Sequence, residues 1–337
     1  MRLGSYFFDE RVVVDEIKKQ GYKSVLLQLP DGIKRYASLV VDKVETETDA
    51  RVMVSLDPCY GACDVPLCAA KTLGVDLVVQ LGHLPIPNLR FPLPVLFVNV
   101  SSDGREEEAV KKAVKSLDGK RVGLVTTAQH IHKIPVMTRV LRENGFEPMV
   151  GKGDGRIAED GQVLGCNVST ANSVSDMVDC FLFVGTGRFH PLAVAFATDK
   201  PVVAVNPFTL EVLKDEFQVE KNRLVRRRYG FITLAEDAEV FGVIVSVKPG
   251  QMRLRKALEV EEKLRKHGKR VYRLVADSVE PSVLKGFSDV QCLVSTACPR
   301  IAFDDALRFD VPLLTPFEVE VLVGEKSIED YRFDIIP

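Results

Sequence analysis

Short runs of apolar and β-branched residues alternate with amphipathic stretches along the whole chain, the hydrophobic pattern of βα units that feed parallel sheets. It predicts twelve strands: Ser24–Leu29, Arg51–Leu56, Leu77–Leu81, Val95–Val100, Arg121–Thr126, Pro148–Gly151, Cys180–Val184, Val202–Val205, Val240–Val247, Arg270–Val275, Val290–Val294 and Leu313–Leu314. Helices are expected between them. Over Glu106–Leu117, EEEAVKKAVKSL places apolar residues at helical spacing, and over Gln251–His267 acidic and basic residues interleave.

The strands fall into three sets of four, and the second half of each set repeats a pattern. An aspartate precedes an apolar strand, a polar loop follows, and a proline introduces the next strand: DLVVQLGHLPIP, DCFLFVGTGRFHP and DVQCLVSTACPR, over Asp76 to Pro94, Asp179 to Pro201 and Asp289 to Pro312. A threefold internal repeat follows from this matching. The predicted fold is α/β: three repeated domains, each a four-stranded mainly parallel sheet flanked by helices, around a pseudo-threefold axis. Boundaries are expected near Ser101–Gly104 and Pro207–Leu210, giving domains 1–103, 104–208 and 209–337. No linker is rich in glycine or serine, so tight packing is expected.

Composition narrows the function classes. The chain has 337 residues, 46% hydrophobic and 27% charged, with a formal net charge of −2 and a pI near 6.3. Such a balance argues against nucleic-acid binding through bulk charge. Asp9, Glu10 and Arg11 interrupt the start before an apolar stretch reaches signal-peptide length, and no uncharged run approaches the ~20 residues of a membrane span. A soluble, cytoplasmic protein without a membrane or nucleic-acid partner is expected.

Familiar nucleotide signatures are missing. Gly151 to Gly155 lacks the final spacing of a dinucleotide fingerprint, and Gly145 to Lys152 misses the phosphate-loop spacing by one residue. There is no HExxH and no Gly-x-Ser-x-Gly, which removes the commonest zinc-protease and serine-hydrolase readings.

The seven cysteines carry the remaining signal. Cys180 and Cys292 lie inside apolar strand runs, where a thiol behaves as a small hydrophobe. Cys68, in the helix-like DVPLCAAKTLG, is expected to pack inward. Cys63, Cys166 and Cys298 each sit in a loop after a predicted strand, one in each repeat, and ligands of open parallel sheets collect beyond the carboxyl ends of strands. Three converging thiolates would leave open the fourth position of a tetrahedral zinc site or one iron of a cubane cluster. Three unrelated cysteines are the alternative. Cys59 complicates the count, because the Cys59, Cys63, Cys68 spacing approaches the tight three-cysteine loop of ordinary radical enzymes but has too long a second interval.

At these residues the chain resembles the diphthamide biosynthesis family in its archaeal form. The resemblance rests on LLQLPDGIK (Leu26–Lys34), YGACD (Tyr60–Asp64), LGH (Leu81–His83), TTAQHIH (Thr126–His132), GQVLGCN (Gly161–Asn167), GTGRFHPL (Gly185–Leu192), VSVKPGQ (Val245–Gln251) and ACPRIAFDD (Ala297–Asp305), in that order. It implies three related α/β domains, each donating one cysteine to a single 4Fe-4S cluster, with Cys63, Cys166 and Cys298 as metal ligands and catalytic centre. Cys59 departs from the family pattern and is the second candidate in its loop.

The implied activity is that of a 2-(3-amino-3-carboxypropyl)histidine synthase, a radical transferase acting on S-adenosylmethionine. The open iron would bind this co-substrate, and an electron from the reduced cluster would break the Cγ–S bond. Methylthioadenosine would leave, the aminocarboxypropyl radical would add to a histidine ring carbon of elongation factor 2, and loss of an electron and a proton would restore the aromatic ring. Implied partners are elongation factor 2, an electron donor and a second copy in a homodimer. Gln28, Gln129, His130 and His190 follow predicted strands and could hold the methionine or ribose groups, with loop and helix capping as the alternative role. Arg300 could take a carboxylate, although Asp304 and Asp305 are near enough to pair with it. The run Lys221–Arg228, KNRLVRRR, is expected to be a solvated helix face, with contact to an acidic surface as the other reading. A quinolinate synthase-like iron–sulfur enzyme and a noncatalytic subunit of a diphthamide complex are the competing functions.

Overall fold

The computed structural model describes residues 1–337, and the twelve predicted strands all form. They are labelled β1 (Ser24–Gln28), β2 (Arg51–Val54), β3 (Leu77–Leu81), β4 (Val95–Val98), β5 (Arg121–Thr126), β6 (Glu147–Met149), β7 (Cys180–Val184), β8 (Val202–Val205), β9 (Val240–Ser246), β10 (Arg270–Ala276), β11 (Cys292–Ser295) and β12 (Leu313–Leu314). Three sheets result, with orders β2-β1-β3-β4, β6-β5-β7-β8 and β10-β9-β11-β12. The first and third are parallel throughout, and β5 pairs in parallel with both β6 and β7. The chain is thus mixed α/β with mainly parallel sheets flanked by helices.

The apolar runs account for this order because a central parallel strand is covered on both faces. All five residues of β7 are buried. Its Phe181 ring lies over Gly123 of β5, where an added Cβ would come within 2.3 Å of the ring. Glycine at 123 therefore makes room for a phenylalanine whose burial contributes about 2–3 kcal/mol.

The sequence repeat has a structural counterpart. Asp76 Oδ2 accepts the backbone N–H of Lys23 and Ser24 at 2.8 and 2.9 Å, tying the start of β3 to the start of β1. Asp179 Oδ2 accepts those of Lys120 and Arg121, both at 2.9 Å, in the second sheet. In the third sheet this role falls to Gln291, whose Oε1 accepts from Glu239 and Val240 at 2.7 and 3.1 Å. Asp289, the residue matched by sequence, instead accepts the Tyr272 hydroxyl at 2.7 Å. The true register of the third repeat is shifted by two residues, because β11 begins at Cys292.

Other departures are local. The N-terminal strands Arg2–Leu3 and Tyr6–Phe7 join Ser101–Ser102 in a small antiparallel sheet, and Val212–Leu213 adds a fifth strand beside β8. Two residues are too few for alternation to show in sequence. The predicted Gln251 helix begins at Leu254, because Gln251 N–H closes a turn on the Lys248 carbonyl at 2.9 Å.

The chain divides into two compact units: residues 1–163, 169–187 and 203–212 form one, and 164–168, 188–202 and 213–337 the other. In the second unit the basic run KNRLVRRR departs from expectation. It lies on helix Glu216–Ala235, and Arg228 is completely buried. Its Nε donates to Glu318 Oε1 at 2.7 Å and its Nη1 to the Ala302 carbonyl at 2.7 Å. Arg227 reaches the Phe303 carbonyl at 2.9 Å, and Lys221 reaches the Ala195 carbonyl at 3.1 Å and the Asp199 carboxylate. Lys221 and Arg228 are internal wiring, while Asn222, Arg223, Arg226 and Arg227 remain exposed on the expected solvated face.

Candidate metal centre

Burial sorts the cysteines into three groups. Cys180 and Cys292 are fully buried in β7 and β11, as their apolar surroundings predict. Cys68 is exposed, contrary to expectation. Helix Leu67–Leu73 turns Ala70 inward, and a residue two positions away points to the opposite side of a helix. Cys63, Cys166 and Cys298 are half-buried in loops, the exposure a thiolate needs to meet a ligand. Cys63 follows β2, and Cys166 follows the segment after β6, but Cys298 follows β11, the third strand of its set. The three are therefore not topologically equivalent.

Cys59 is a different kind of group from its neighbour. It is buried and accepts a hydrogen bond from Gln80 Nε2 at 3.1 Å. Burial, reinforced by the Asp64 charge, pushes its thiol up to about 12. At pH 8 its thiolate fraction is then roughly 10⁻⁴. Iodoacetamide labelling of the folded apoprotein at pH 8, read by peptide mass spectrometry, is expected to modify Cys68 readily and leave Cys59, Cys180 and Cys292 unmodified. Raising the pH toward 10 should leave Cys59 unlabelled as well, since that is still about two units below its titration.

In the first unit, unused acceptors gather where the parallel strands of the first sheet end. Gln28 closes β1 and is in register with Gln80 of β3. Both side chains are buried, and the Oε1 of each lacks a hydrogen-bond donor. So do Nδ1 of His83, just after β3, and Oδ1 of Asn99, just after β4, whose Nδ2 donates to the Ala128 carbonyl at 2.8 Å. An unmet buried polar group costs about 1–3 kcal/mol, so each of these atoms calls for a bound water or a ligand group. Burial holds the His83 imidazole at about 4, neutral at physiological pH. Gln129 is engaged, with Nε2 donating to the Gly82 carbonyl at 3.1 Å. His130 is buried, its Nδ1 2.8 Å from Glu106 Oε1, and it serves this unit as one half of a buried pair.

In the second unit Cys166 occupies a tight turn in which Leu164 and Asn167 exchange backbone hydrogen bonds at 2.9 and 3.1 Å. Gly165 is forced by its neighbour: an added Cβ would lie 1.9 Å from Phe189 Cε1. Gly165→Ala is expected to displace the Cys166 turn or the Phe189 ring, costing about 1–3 kcal/mol. Thermal unfolding, combined with the labelling rate of Cys166, checks this.

Cys298 immediately precedes helix Pro299–Asp304. Arg300 Nε donates to Asp304 Oδ2 at 2.6 Å, and its guanidinium stacks 5.1 Å from the centre of Phe189. Burial, then the Arg300 charge, lowers His190 to about 4. Cys166 and Cys298 thus share a unit with His190 and Arg300, and Cys63 shares the other with Gln28, Gln129 and His130. Within neither unit do three or more His, Cys, Asp or Glu side chains form a group spaced for a metal ion.

A family model for diphthamide synthesis proteins matches residues 29–332. The chain is 38% identical to the 2-(3-amino-3-carboxypropyl)histidine synthase of Pyrococcus horikoshii, over 96% of this chain and 92% of that protein. It is 28% identical to the Methanocaldococcus jannaschii protein of the same name, over 97% and 92%. A crystal structure of Dph2 from Pyrococcus horikoshii with a 4Fe-4S cluster is similar at a TM-score of 0.89 and 37% identity, covering 98% of this chain and 94% of that one. The chain belongs to the diphthamide synthesis family.

Gln80, His83 and Asn99, each with a buried polar atom that has no partner, do not stand out in the hydrophobic pattern as candidates. Gln80 did leave a signal, as the one polar side chain in the buried strand LVVQL. His83 and Asn99 stand directly beyond strand ends, where loop polarity hides them. No helix of the chain is long and apolar enough to cross a membrane.

Proposed function

We propose that this chain is a 2-(3-amino-3-carboxypropyl)histidine synthase, transferring the 3-amino-3-carboxypropyl group of S-adenosylmethionine to a histidine of elongation factor 2 in the first step of diphthamide biosynthesis. One observation carries the reading: of seven cysteines in a chain of this family, three are half-exposed in loops, one in each sheet-forming third. The donor set fits a 4Fe-4S cluster. Cys63, Cys166 and Cys298 would hold three irons and leave one for the co-substrate, and the cluster would supply the electron for reductive carbon–sulfur cleavage. Cys63 is preferred over Cys59 because it occupies the cysteine of YGACD and is half-exposed in its loop, whereas Cys59 is buried.

The other assignments follow from available atoms. The unused oxygens of Gln28 and Gln80 suit an ammonium or hydroxyl donor, and neutral His83 and His190 can hydrogen-bond without adding charge. His130 is a positioning residue through Glu106. Gln129 and Arg300 contribute only by exchanging the partners they now hold for parts of the co-substrate. We read residues 1–103, 104–208 and 209–337 as three repeats, each giving one ligand. The protein would work in the cytoplasm as a homodimer with a separate electron donor.

The test is chemical. Anaerobic protein reduced with dithionite, given S-adenosylmethionine and elongation factor 2, should release methylthioadenosine and pass label from the methionine carboxylate to one histidine. 5′-Deoxyadenosine as the main nucleoside, or unlabelled elongation factor 2, would overturn the reading. A colourless protein that binds only zinc would remove the cluster.

A further inference from the structure

We propose that the C-terminal segment Tyr331–Ile336 is a positioning strap that holds the Cys166 and Cys298 loops together as one paired thiol site; its link to a cluster rests on the function proposed above. The segment touches the backbone of both loops. Ile336 N–H donates to the Cys166 carbonyl at 2.7 Å, and Asn167 Nδ2 returns a bond to the Ile336 carbonyl at 3.1 Å. Two residues earlier, Asp334 takes a two-pronged pair from Arg253, Nη1 to Oδ1 at 2.9 Å and Nη2 to Oδ2 at 2.6 Å. The same guanidinium donates to the carbonyls of Thr296 at 2.7 Å and Ala297 at 3.1 Å, the two residues before Cys298.

The geometry limits how far the two loops can part. Asp334 and Ile336 are separated by two residues, at most about 7 Å of extended chain, so one loop is fixed through a direct bond and the other through a single arginine. The arginine is well suited, since a planar fork can bind a carboxylate and two carbonyls at once. Aromatic packing seats the strap: Phe333 stacks on Phe303 with centroids 4.3 Å apart and planes at 12°, and it also meets Phe189 and Phe196. Tyr331 adds a hydrogen bond to Glu318 at 2.7 Å. These contacts order both loops before any metal arrives, which removes entropy that ligation would otherwise have to overcome.

Phenylarsine oxide, which bonds to two neighbouring thiols and displaces water, reads the pairing without a cluster. In the full-length apoprotein with Cys59, Cys63 and Cys68 replaced by serine, one equivalent should bind. Asp334→Ala and Arg253→Lys should weaken that binding at least about 10-fold, and in the chain with all its cysteines they should speed iron loss to a chelator by about 10–100-fold. Asp334→Glu should recover part of both. Val243→Ala, a core change in β9, provides a match for lost stability. If Asp334→Ala weakens arsenical binding no more than Val243→Ala, or if the strap-intact apoprotein binds no arsenical, the strap is rejected. Asp334→Asn, which keeps the shape, serves if the alanine variant fails to fold. Wild-type protein that takes up no iron would sink the cluster reading, while the arsenical arm would still decide the strap.

Discussion

Cys63→Ala, Cys166→Ala and Cys298→Ala are each expected to reduce iron and sulfide content by more than half after anaerobic reconstitution and to lower transfer to elongation factor 2 by more than about 100-fold. The magnitude follows from the chemistry, since changes to groups that merely orient a ligand already cost 10–100-fold in metal affinity. Alanine supplies no donor at all. The three substitutions differ from those at Cys180 and Cys292, whose thiols are buried in β7 and β11 and whose loss leaves small cavities costing about 1 kcal/mol or somewhat more. Cys180→Ala and Cys292→Ala should therefore lower the melting temperature and retain iron. Cys59→Ala is the sharpest comparison. Removing it deprives Gln80 Nε2 of one acceptor while the Gly61 carbonyl, at 3.3 Å, remains, so the cluster should persist. Loss of iron in Cys59→Ala with retention in Cys63→Ala would reverse the assignment within that loop. Iron analysis and electron paramagnetic resonance of the reduced protein make the measurement.

Which features could be read from the sequence follows from how much side-chain chemistry they involve. Buried parallel strands were visible because a strand covered on both faces must be apolar throughout, as β7 is, and the loop cysteines stood out against them. The third repeat was misaligned because Gln291 does with an amide oxygen what Asp76 and Asp179 do with carboxylates. Hydrophobic pattern is blind to that exchange. Cys68 failed for a geometric reason, since one short helix offers too few apolar positions to fix its inward side. Arg228 failed because arginine is rarely buried unless paired, and its partner Glu318 lies ninety positions later. The strap was invisible for a similar reason: YRFDIIP has neither strand nor helix period, and its ordering depends on Arg253 and on two loops distant in sequence.

Arg228→Ala should have the largest effect on stability. The guanidinium meets Glu318 through two hydrogen bonds, at 2.7 and 2.5 Å, and both side chains are fully buried. It also satisfies the carbonyls of Ala302 and Leu313 and stacks against Phe231 at 4.8 Å. Truncation leaves a buried carboxylate with only the Tyr331 hydroxyl and the Thr315 backbone N–H as donors. Removing one member of such a pair typically costs about 3–5 kcal/mol, because the remaining charge stays desolvated. For a unit of this size that corresponds to a fall in melting temperature of roughly 10 °C. The doubly substituted Arg228→Met, Glu318→Leu chain should be more stable than Arg228→Ala, since apolar replacement of both partners leaves no buried charge. The loss of Glu318 still removes the side-chain half of the capping box on helix Pro316–Leu322, though the Thr315 cap remains, so wild-type stability should not be fully regained. Urea and thermal unfolding of the three chains decide the point. A double variant no more stable than Arg228→Ala would mean that the stranded charge is not what destabilises the single one, and that the lost carbonyl bonds and packing of the arginine dominate instead.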